Sequence, residues 1–166
     1  MNILPIIAII AASNQTAPVP DHNLRRLSAQ QDKWISQQLI HLWKVGLFPC
    51  GGMEFILVSE GKRNPASYSM LWKMFLGNVS QLASTASATP SAEGDFPYSK
   101  AATCRFTKEE ALRLMPVARK EVVRMKRMVP VLAPELYAVM ECTKDELTRQ
   151  LEKLERTVRR IRIPAK

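Results

Sequence analysis

Towards the end of the chain, Leu147, Leu151, Leu154, Val158 and Ile161 step by four, three, four and three. At 3.6 residues per turn these positions fall on one stripe of an α-helix. A strand would need alternation in twos, which the segment lacks. The stripe predicts a helix packed lengthwise against another along a two-heptad seam. Thr143-Lys144-Asp145-Glu146 opens it as a capping box, and Pro164 stops it near residue 162.

The same punctuation recurs upstream. Thr107-Lys108-Glu109-Glu110 is a second capping box. The helix it opens should reach about residue 128, with Pro116 kinking or splitting it and Pro130 ending it. Ala133-Pro134 restarts a short helix through Glu141. In the first half, Asp21 is read as the N-cap of a helix over 22–45. Leu24, Leu27, Trp34, Ile35, Gln38, Leu42 and Val45 form its mostly apolar face, and Gly46 its C-terminal stop. Residues 53–59 are a short apolar run that leans towards a strand. Asn64-Pro65 starts a helix to Leu76 that is apolar on nearly every side and therefore buried; Gly77-Asn78 should end it. Residues 81–100 are rich in Ser, Ala, Thr and Pro and read as a linker.

These elements predict a mainly α fold of about four to five helices in two halves, with one short strand at most. Residues 1–20 form an extended apolar segment and 21–80 a helical half; 81–104 form a Ser/Ala/Pro-rich linker and 105–166 a basic helical half. The N-terminal segment and the linker are expected to lie against partner subunits, since such segments order only when something holds them.

Charge is unevenly distributed. The net is +9, and residues after 100 hold sixteen of the 24 Lys and Arg but nine of the 15 Asp and Glu. Such asymmetry points to an anionic partner for the C-terminal half. Arg119, Lys120, Arg124 and Arg127 lie on one predicted helix, and Arg156, Arg159, Arg160 and Arg162 on or just after the last; these eight are the candidate anion-binding residues. Arg matches both phosphates and carboxylates. No aromatic residue interleaves with them, which argues against a platform for stacking single-stranded bases.

Catalytic signatures are absent. No GxGxxG, Walker A, HExxH or GxSxG pattern occurs, so no catalytic, cofactor or metal residue is assigned and no small-molecule substrate is expected. His22 and His41 stand too far apart on one helix to share a metal, and His41 reads as an ordinary core or interface residue. Cys50, Cys104 and Cys142 form no CxxC pair and suit a reducing compartment. The eight methionines suit core packing first and adaptable contacts second.

Residues 3–12 are apolar, yet too few to span a bilayer, which takes about 20. They lack the positive flank of a secretory signal, and the start is not the Arg-rich amphipathic helix of a transit peptide. Asn78-Val79-Ser80 matches a glycosylation acceptor at the level of chance. The leading expectation is a non-catalytic accessory subunit of a large multi-protein assembly. Its narrower form is a mitochondrial inner-membrane energy-transducing complex (a respiratory complex or ATP synthase), with other subunits as partners and anionic lipid within reach. The alternatives are a mitochondrial ribosomal protein gripping the rRNA backbone through its basic helices, and a free-standing helical adaptor.

Overall fold

In a computed structural model, residues 28–48, 65–87, 104–131 and 143–165 are described. They form four helices: α1 (Ala29–Lys44), α2 (Pro65–Ala86), α3 (Lys108–Met128) and α4 (Lys144–Arg160), with a 3₁₀ turn, Val129–Val131, after α3. No strand occurs among the described residues. The expected mainly α class holds. The expected strand at 53–59 and short helix at 133–141 lie outside the described residues, as do residues 1–20.

Three of the four helix starts have a capping box. The Thr107 hydroxyl accepts from the Glu110 amide while Glu110 accepts from the Thr107 amide, and Thr143 and Glu146 repeat the exchange. Those bonds to the threonine amides hold both glutamate carboxyls below the usual carboxylate range. A third capping box joins Ser28 and Gln31 at the start of α1. The helix expected over 22–45 is thereby interrupted at Ser28, whose backbone angles are non-helical, while Asp21 lies outside the described residues. Serine is an efficient N-cap and outcompetes continuation.

Gly46 ends α1 as anticipated, at φ +86. Its N–H donates to the Trp43 carbonyl and that of Leu47 to the Leu42 carbonyl, a Schellman motif.

Two expected breaks do not occur. α2 passes through Gly77 and Asn78 and continues to Ala86, ten residues past the expected end at Leu76 and into the predicted linker. Val79, Leu82, Ala83 and Ala86 continue its buried surface, and burial outweighs the low propensity of Ser and Gly. Asn78 serves tertiary contacts instead of a cap. Its side-chain amide donates to the Leu47 carbonyl, and its oxygen accepts from the Cys104 amide. That residue therefore ties the exit of α1 and the approach to α3 onto the middle of α2. Buried in this way, it is closed to glycosylation. α3 runs unbroken through Pro116, whose ring faces solvent while Leu114, Met115 and Ala118 beside it are buried. The missing hydrogen bond costs about 3 kcal/mol, which packing on the opposite side offsets.

All four helices contribute to a single core. Ile35 and Leu42 of α1, Trp72 and Phe75 of α2, Met115 and Met125 of α3, and Leu151 and Leu154 of α4 are each fully buried in one cluster. Cys104, assigned by sequence to the linker, belongs to it too. α3 packs on both α2 and α4. Lys126 of α3 meets Glu155 of α4, while Arg119 reaches Val158 and Ile161. The two helices therefore run antiparallel, and this pairing frames the candidate site.

Candidate anion-binding groove

Lys120, Val123, Arg124, Arg127 and Met128 are spaced along α3 at three, four, seven and eight residues from the first. Such spacing brings them onto one stripe two turns long. Arg119 and, from the antiparallel α4, Arg159 complete the lining of an open groove of about 580 Å³. Five of its seven lining residues are cationic, none is acidic, and Val123 and Met128 supply the apolar surface. The volume falls within the range of ligand-sized clefts.

The five cations are held differently. Arg119 donates from Nε to the Val158 carbonyl at 2.9 Å and from Nη2 to the Ile161 carbonyl at 2.6 Å. It thus caps the C-terminus of α4, where carbonyls lack helical partners and the helix dipole favours a cation. Arg124 donates from Nε to Glu121 at 2.6 Å and from Nη1 to Gln38 of α1. Arg159 pairs with Glu155 one turn earlier. Glu155 also takes the Lys126 ammonium. The Lys126 hydrogen bond holds the Glu155 carboxyl below its ordinary range against the opposing effect of burial, and the charges of Lys126, Arg159 and Arg156 add to it. Lys120 and Arg127 are exposed. They form the uncommitted positive rim.

Of the eight cations proposed from sequence, Arg119, Lys120, Arg124, Arg127 and Arg159 line this groove. Arg156, Arg160 and Arg162 are exposed but stand outside its lining. The seam residues Leu147, Leu151, Leu154 and Val158 are fully buried within the chain's own core, and Ile161 is partly buried at its edge. The seam's packing partner is thus intramolecular.

Sequence reasoning missed Glu121. It lies on the buried side of α3 with Ala118, Val122 and Met125. Its carboxylate takes His41 Nε2 of α1 at 2.8 Å through Oε1 and Arg124 through Oε2. The available signal was a charge inside an apolar stripe, which needs a partner when buried. His41, half-exposed, joins this pairing from α1. Cys50, Cys142 and His22 lie outside the described residues. Among the described residues no group of three His, Cys, Asp or Glu side chains could hold a metal ion, and no helix is long and apolar enough to cross a membrane.

Compared with models of protein families, curated proteins and solved structures, the chain matches none.

Proposed function

We propose that the chain is a non-catalytic structural subunit of a larger assembly, and that an anionic neighbour bears on the groove of α3 and α4. The observation that supports this is the groove itself: five cations, two apolar residues and no carboxylate among its lining. Glu121 and Glu155 pair with Arg124 and Arg159 from outside the lining, and Lys120 and Arg127 stay exposed at its rim. The lack of any catalytic motif in the sequence leads to the same reading. Its narrower form, a mitochondrial inner-membrane complex, is a proposal about the assembly. In such a complex the four helices would meet protein subunits or anionic headgroups. The second reading, an rRNA-binding protein of the mitochondrial ribosome, draws on Arg156, Arg160 and Arg162, which extend exposed positive charge beyond the groove.

The test is native purification of the tagged chain followed by size analysis, with and without ribonuclease. Comigration with a large particle is expected. Lys120→Glu with Arg127→Glu should shift the chain towards its 18.8 kDa monomer, while reversal of two exposed cations elsewhere, Lys33→Glu with Arg105→Glu, should not. A wild-type monomer would overturn the subunit reading. Disassembly under ribonuclease would favour the ribosomal one.

A further inference from the structure

We infer that the groove takes about two turns of an acidic amphipathic helix from a neighbouring protein, in preference to a nucleic-acid backbone. The inference rests on the reading that an anionic neighbour occupies this groove, and it names that neighbour's chemistry.

Three observations carry it. The first is shape. Lys120, Val123, Arg124, Arg127 and Met128 make a straight stripe on α3, roughly 12 Å long at 1.5 Å per residue. That is the length of two helical turns, and helix-in-groove recognition reads anchors at the same three- and four-residue spacing.

The second is the apolar surface. Val123 lies between the cations of the stripe, and Met128 closes its C-terminal end. A phosphate-sugar backbone offers them no apolar partner, whereas the Leu or Ile face of an amphipathic helix does. Methionine is well suited to such a surface because its unbranched thioether adapts to varied shapes. No aromatic residue lines the groove, so an unstacked base would find no platform there.

The third is the state of the cations. Arg119, Arg124 and Arg159 already donate to acceptors of this chain, which leaves Lys120 and Arg127 as the uncommitted pair. They stand seven residues apart on α3, two turns of helix. Two carboxylates two turns apart on a partner helix match them, with one apolar residue between them for Val123 and another just beyond for Met128. Two uncommitted charges match the carboxylates of a short acidic segment.

The experiment uses the full chain and labelled probes followed by fluorescence anisotropy. One probe is a synthetic helical peptide with Leu and Glu arranged on two faces. The second has the same composition in scrambled order. The third is single-stranded polyuridylate, and the fourth an RNA duplex. Expected is binding of the amphipathic peptide about tenfold or more tighter than the scrambled one, the scale on which a central apolar anchor counts. Val123→Gln with Met128→Gln should abolish that preference, and Lys120→Glu with Arg127→Glu should abolish binding. Unchanged far-ultraviolet dichroism and melting temperature would confirm that both variants fold. Equal binding of both peptides would overturn the inference, because charge alone would then explain it. Tighter binding of either RNA, insensitive to Val123 and Met128, would overturn it in favour of a nucleic-acid partner. If no peptide binds but Lys120→Glu with Arg127→Glu still releases the chain from its native particle, the anionic-neighbour reading survives and the acidic helix does not.

Discussion

At the residue scale, two of the five cations that line the groove, Arg119 and Arg124, also tie α3 to a neighbouring helix. Glu155 shows the consequence for pH. Its carboxyl titrates below the ordinary range because Lys126 donates to the ionised form. A depressed folded value stabilises the fold above the unfolded pKa, near 4.3 for Glu. That contribution is lost as pH falls through the lower folded value. Glu155→Gln is expected to lower stability at pH 7 by on the order of 1 kcal/mol. Melting wild type and variant from pH 7 to pH 3 should show the difference shrink in acid; a constant difference would assign the loss to packing. Arg119 offers a second test. Arg119→Gln removes donors to the Val158 and Ile161 carbonyls and should cost about 1–3 kcal/mol by denaturant titration.

At the scale of elements, caps fix where the helices begin and end. Three capping boxes start α1, α3 and α4. Thr143→Ala should cost about 1 kcal/mol, measurable as a lower unfolding midpoint, while Thr143→Ser should recover most of it. Gly46 is less forgiving. Its φ of +86 disfavours any side chain, and a Cβ there would come within 3.2 Å of Leu114. Gly46→Ala should therefore destabilise by roughly 1 kcal/mol or more, and the same titration should show it. These features were legible in sequence to different degrees. The boxes at Thr107 and Thr143 and the stop at Gly46 are local, so residue types three or four apart reveal them. The box at Ser28 was obscured by apolar residues preceding it. The extent of α2 was hidden because Gly77 and Asn78 carry stop signals locally, and only tertiary contacts to Leu47 and Cys104 reassign Asn78.

At the scale of the whole molecule, the seam and the groove divide the work. Leu147, Leu151, Leu154 and Val158 are fully buried inside the chain. Leu151→Ala should cost about 2–5 kcal/mol, and Leu151→Asp should prevent cooperative folding, as judged by loss of a thermal transition. Leu151→Asp would remove the chain from an assembly by unfolding it, so loss of assembly in that variant says nothing about a partner surface. Reversals at exposed Lys120 and Arg127 leave the core intact and make the informative pair. The two clusters of basic residues were visible in sequence. Their convergence was not, because it depends on α3 and α4 running antiparallel, and on Glu121 and Glu155 drawing off part of the charge.

Arg119 lines the groove and also closes the last turn of α4. One guanidinium cannot serve both roles fully, so they are thermodynamically reciprocal. A ligand that draws Arg119 towards itself loosens the chain beyond Val158, and anything that frays that end releases a cation to the ligand. Occupancy of the groove would then be reported at a distance, as faster amide exchange in the last turn of α4.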